Sequence, residues 1–259
     1  MATPFAVLPP RPTAVEACTR SLRESILSGA VAVGSRLPPE RELAASLGVN
    51  RLTLRSALGQ LVAAGLVSVR QGSGYVVRDF SETGGPDLVA PFLEVASDPA
   101  RRREAIGDLL FVRRALARGV LERLISRIDA AGIRRIKAAV EAFAAVAEAQ
   151  DATPAKIAVA DHATIRAIVR EAGSTILMLA TNPVLAVADA IPELSHEIFA
   201  EPSVNVAGYR LLAAALEAKD PHAVDEVLAV MTAADEALVA QIGGGAKPGK
   251  KTSTTKRKK

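Results

Sequence analysis

From residue 101 to residue 240, apolar side chains return every three or four positions, as at Ile106, Leu109, Leu110, Val112, Leu116, Val120 and Leu124. That spacing lays one apolar stripe along a helix. Breaks at Gly173, Pro192, Pro202 and Asp220-Pro221 divide the stretch into about six helices, over 101–126, 130–149, 154–172, 175–190, 203–218 and 221–240. No strand pattern interrupts them, so this part reads as an antiparallel all-α helical bundle. Residues 12–80 follow a different plan of helix, helix, helix, hairpin. The first helix runs from about Thr13 to Leu27 and stops at Gly29. Pro38-Pro39-Glu40 opens a second, where prolines cost no hydrogen bond, and Leu47-Gly48 ends it. Asn50 is a natural N-cap for a third, Arg51 to Ala64. Beyond Gly65, Leu66–Arg70 and Tyr75–Arg78 read as two short strands joined by the glycine-bearing loop Gln71-Gly72-Ser73-Gly74. The fold class is mainly α.

Composition supports helix over sheet: 49% of residues are hydrophobic, only 3% are aromatic and Trp is absent, leaving Ala, Leu, Val and Ile to build the core. No uncharged apolar run reaches the ~18–20 residues of a membrane span, and no signal-peptide pattern opens the chain. A lone cysteine, Cys18, fits a reducing compartment and reads as a small buried hydrophobe, so a cytoplasmic location is expected.

Charge changes the picture more. Residues 1–80 carry nine arginines and no lysine against five acids, a balance of +4. Residues 81–246 carry 16 cations against 23 acids, or −7, and residues 247–259 carry seven cations and no acid. Basic ends on an acidic body point to a nucleic-acid partner for the ends. The organisation expected is a DNA-binding domain over 12–80, a linker over 81–100, a helical domain over 101–242 and a disordered basic tail over 243–259.

On the third helix, Leu54, Leu58 and Leu61 form the stripe that packs on the first two helices, while Arg51 and Arg55 share another face near its N-terminus, with Thr53 exposed beside them. In a helix-turn-helix these N-terminal positions reach base edges in the major groove, where an arginine fork matches guanine. Arg41, on the preceding helix, is placed to touch backbone or a neighbouring base, and Gly72 lets the hairpin approach the duplex closely. The run from Gly34 to Arg55, with Leu61, Gly65-Leu66-Val67 and the hairpin residues 72–76, resembles the signature of GntR-family regulators over about residues 20–78. The resemblance implies a winged helix-turn-helix in which Arg41, Arg51, Thr53, Arg55 and Gly72 contact operator DNA. Leu52 departs from it, since the family usually carries a small or polar residue there.

The later part resembles the effector-binding domain of the FadR-type branch, called FCD, at Phe111 to Leu116, at Asp161 to Gly173 and at Tyr209 to Asp220. Many members bind a divalent metal through an Asp-x-x-x-His pair and two later histidines. Here Asp161 is kept, but the histidine positions hold Ile165, Tyr209 and Met231, so no metal and no cofactor are expected. His162, His196 and His222 fall at positions that form no metal pair and read as surface or capping groups. The resemblance associates Arg113 with the effector pocket. Arg113, Asp161 and Tyr209 are therefore the expected lining of an effector cavity for a small molecule, carboxylates included, with an internal salt bridge as the competing role of Arg113. Arg114 is expected to be solvated.

The function these features imply is a sequence-specific transcriptional regulator, a homodimer on double-stranded operator DNA, whose affinity is tuned by a small-molecule effector, with no membrane partner. An enzyme with an appended DNA-binding head would need a nucleophile elbow, phosphate loop or metal pair, and the sequence has none. A sequence-tolerant architectural binder is the remaining alternative, favoured by the basic tail.

Overall fold

The computed structural model describes residues 12–70, 72, 74–220 and 222–243. It divides into two compact units, with the boundary between Ser97 and Asp98.

In the first unit, helix α1 (Ala14–Leu27) starts with a capping box: Glu16 N–H donates to Thr13 Oγ1 at 3.2 Å, and Thr13 N–H donates to Glu16 Oε2 at 2.7 Å. Helix α2 (Glu40–Ser46) follows the two prolines. Helix α3 (Arg51–Ala63) is capped as its sequence predicts, Asn50 Oδ1 accepting from Thr53 N–H at 2.8 Å. Strands β1 (Val67–Arg70) and β2 (Gly74–Val77) pair antiparallel, from Val67 opposite Val77 to Arg70 opposite Gly74. Arg36 adds a bridge to Val76, tying the segment before α2 to the hairpin. Leu22, Ile26, Leu54, Leu58, Leu61 and Leu66 close the core between these elements.

Composition marks 81–100 as a linker, with short helix or loop over 91–99, and the structure gives the segment more order than that. Helix α4 (Phe80–Thr83), a 3₁₀ turn (Pro86–Leu88) and helix α5 (Val89–Val95) occupy most of it. Leu88 joins the first unit's core, with Phe80 and Val95 packed against it. The anchor is Thr83, whose Oγ1 donates to the Gly65 carbonyl at 2.7 Å. Gly65 has φ +74°, and a Cβ there would lie 2.1 Å from the Thr83 carbonyl oxygen, so both conformation and contact require glycine.

The second unit is a bundle of seven helices among the described residues: α6 (Pro99–Ile125), α7 (Ala130–Ala147), α8 (Pro154–Glu171), α9 (Thr175–Ala190), α10 (Pro192–Ile198), α11 (Pro202–Ala218) and α12 (Ala223–Gly243). Asp98, Asp129, Thr153 and Ser174 cap four of them with side-chain oxygens. Helix α6 packs on α12, and α7 on both α8 and α11. Leu124, Ile136 and Leu216 are fully buried at the main core. A second cluster centres on Phe143, whose ring meets Tyr209 edge-on at 5.1 Å. Helix α10 is the element sequence periodicity misses: Pro192, read as a breaker, stands in its first turn, where a missing N–H costs nothing. No helix of the described residues is long and apolar enough to cross a membrane. The basic tail, expected over 243–259, falls outside the described residues beyond Gly243.

Candidate nucleic-acid interface and helical-unit cavity

Helix α3 separates its faces cleanly. Leu54, Ala57, Leu58 and Leu61 are all 0% exposed, whereas Arg51, Leu52 and Arg55 stand in solvent at its N-terminal end, Leu52 at 77% exposure. Leu52 thus stands in water between the two arginines in sequence. Arg55 is not wholly free, because its Nε donates to Glu40 Oε2 at 2.8 Å. That pairing, on a well-exposed side chain, raises the guanidinium pKa above its ordinary value and holds the group toward α2. Glu40 was not among the sequence-predicted site residues, although its place at the start of α2 was legible. Arg41 is exposed in the first turn of the same helix. Thr53, expected to be exposed, is half-buried, and its N–H donates to the Asn50 cap. Gly72 is exposed with φ +72°, and no atom lies within 4 Å of where a Cβ would stand. Its neighbours Gln71 and Ser73 lie outside the described residues.

In the second unit, Arg113 of α6, Asp161 of α8 and Tyr209 of α11 line a single cavity of about 220 Å³. Most of the remaining wall is aliphatic, including Leu116, Val120, Ile168, Leu185 and Leu212. Tyr209 Oη donates to Asp161 Oδ1 at 2.5 Å. Burial pushes the Asp161 carboxyl above its ordinary value, against the opposing pull of the Tyr209 hydrogen bond and the Arg113 charge. Burial and the adjoining carboxylate together push the Tyr209 phenol well up.

Arg113 also takes the competing role, pairing through Nη2 with Asp235 Oδ1 of α12. Arg114 is not solvated as expected. It binds the second oxygen of the same carboxylate, and Asp235, only 4% exposed, thus holds two guanidiniums. Asp235 escaped sequence reasoning, although it lies one turn after Met231, which lines the cavity. His162, expected at the surface, is 5% exposed inside the bundle.

The four positions at which the family resemblance places metal ligands, Asp161, Ile165, Tyr209 and Met231, all line this one cavity. The donors do not fit a divalent cation. An alkane offers no lone pair, a thioether is soft, a neutral phenol binds poorly, and the one carboxylate already accepts from Tyr209. Among the described residues no three His, Cys, Asp or Glu side chains come together.

The chain matches the bacterial regulatory proteins of the gntR family over residues 15–77 and the FCD domain over residues 108–234. An uncharacterised HTH-type transcriptional regulator of Mycobacterium tuberculosis is 39% identical over 114 residues, 39% of this chain and 44% of that protein. The fatty acid metabolism regulator protein of Vibrio vulnificus is 37% identical over 90 residues, 35% of this chain and 32% of that protein. The matched stretch thus spans less than half of either relative. A solved structure of Lar, which controls expression of the agr system in Listeria monocytogenes, aligns over 90% of this chain and 98% of its own, with TM-score 0.55 and 16% identity, a likeness of fold. With both of its units matched in order, the chain belongs to the gntR family of bacterial regulatory proteins, in the branch that carries an FCD domain.

Proposed function

We propose that the protein is a sequence-specific DNA-binding transcriptional regulator, non-enzymatic and cytoplasmic, whose operator affinity responds to a small molecule held in the helical unit. The observation that carries this reading is α3: a fully buried leucine stripe on one side and, on the other, Arg51, Leu52 and Arg55 exposed at the N-terminal end. Arginine forks suit guanine N7 and O6, and Leu52 suits a thymine methyl, so the surface has chemistry for base edges as well as for phosphate. Arg41 and Gly72 extend the contact on either side, and Thr53 contributes through its half-buried hydroxyl and methyl.

One such unit reads only a few base pairs. A homodimer doubles the contact set and reads two half-sites related by symmetry. An effector in the cavity lined by Arg113, Asp161 and Tyr209 touches α6, α8 and α11 together, so it stabilises one arrangement of those helices over another. Footprinting of the purified protein on genomic fragments tests the DNA reading. A discrete, palindromic protected site is expected. Uniform protection that tracks only DNA length would instead make the protein an architectural binder.

A further inference from the structure

The cavity carries a chemical preference of its own. Arg113 is its one lining cation among the described residues, and it shares the buried Asp235 carboxylate with Arg114, while Asp161 stands as a second carboxylate on the same wall. The acceptor of the Tyr209 hydroxyl is Asp161, so both cavity-lining oxygens of this pair retain lone pairs, which a bound donor could satisfy. Arg113 Nε is buried and has no hydrogen-bond partner among the described residues, and the Asn205 amide adds both donors and an acceptor to the same wall. A buried donor without a partner is costly unless a ligand or water completes it. The polar end of the cavity therefore calls for a group that both donates and accepts. A hydroxyl or a primary amide does so. A carboxylate only accepts, and it would add an unmatched negative charge where Asp161 and Asp235 already balance Arg113 and Arg114 one for one.

We propose that this cavity binds an uncharged, chiefly aliphatic molecule bearing a hydroxyl or amide, and that Asp235 sets this preference by holding the charge of Arg113. The aliphatic wall accommodates the chain of such a molecule, and the Asp161–Tyr209 pair with Arg113 reads its polar end. Asp235 acts through Arg113 and is a specificity-determining residue outside the cavity wall. The proposal rests on the reading of the cavity as an effector site, and it departs from the carboxylate class that the sequence alone leaves open.

Binding of 1-octanol and of octanoate to the full chain, measured by calorimetry at neutral pH, tests it. Wild-type protein is expected to bind 1-octanol at least about tenfold more tightly than octanoate, the effect of one satisfied against one unsatisfied buried polar group. Asp235→Asn frees the guanidinium and should narrow that gap, while an unchanged gap refutes the part assigned to Asp235. Should that variant fail to fold, Arg113→Gln decides instead: it removes the cation and leaves Asp235 charged, so the gap should not narrow, and a narrowed gap refutes the part assigned to Asp235. It retains N–H donors, so 1-octanol binding should persist, and its loss, or a wild-type preference for octanoate, overturns the proposal. Ala117→Phe, which fills the cavity, should abolish 1-octanol binding, and undiminished binding places the site elsewhere and also overturns it. Octanoate binding that Ala117→Phe removes refutes the uncharged class yet leaves the effector cavity standing. Failure of both probes to bind refutes both.

Discussion

Arg51 and Arg55 differ in their freedom, and that difference is measurable. Each replaced by alanine should cost about 1–3 kcal/mol at the operator and much less on random DNA, as read by fluorescence anisotropy. Equal losses on both would make the residue a phosphate contact. Glu40→Ala releases Arg55 from its 2.8 Å partner, so its effect on operator binding should vanish in the Arg55→Ala background. Asp161 gives a second test at this scale. Its carboxyl is raised above 3.8 by burial, so it binds its proton more tightly folded than unfolded. The stability it contributes is complete below pH 3.8 and is lost as pH rises through the raised folded value. Asp161→Asn keeps an acceptor for Tyr209 and cannot ionise. The stability of the variant relative to wild type should therefore grow as pH climbs from acid toward neutrality, measured by urea melts, and a flat difference contradicts the assignment. Position and exposure of the arginines were legible from helical periodicity. The side chains that pair with them were not, because Glu40 and Asp235 meet their partners across 15 and 122 residues of chain, and pattern within a window carries no such contact.

At the scale of elements, the caps and helix stripes announced themselves: Asn50 before Arg51, Thr13 with Glu16, and leucines at four- and three-residue steps on α3. Two elements did not. The segment after β2 is rich in Gly, Ser and Pro, yet Leu88, Phe80 and Val95 find the first unit's core, and tertiary burial overrides loop-like composition. The seven-residue α10 is too short for periodicity to declare, and its opening proline resembles a stop. Gly65 is the position where such local choices meet. Gly65→Ala should destabilise the first unit by more than the roughly 1–3 kcal/mol of a left-handed alanine alone, since its Cβ also meets the Thr83 carbonyl. Gly72→Ala has the same sign of φ and open space, and should show the conformational cost only. Chemical denaturation of the two variants side by side checks the difference.

Across the whole molecule, the separation of an arginine-bearing first unit from an acidic helical one was readable from charge alone, and the cavity's aliphatic character from the residues at the eroded metal positions. Because those donors do not fit a divalent ion, EDTA should leave the melting temperature unchanged, and a drop of several degrees would show a metal held elsewhere. A last consequence comes from Cys18, the one thiol in 259 residues, which sits 4% exposed on α1 against the first unit's core. Burial raises its pKa and shields it from reagents, so the native protein should be nearly silent to maleimide. Its labelling rate then becomes an intrinsic clock for the transient opening of the first unit, with no engineered probe. Added operator DNA should slow that clock in proportion to how far it fastens the unit shut.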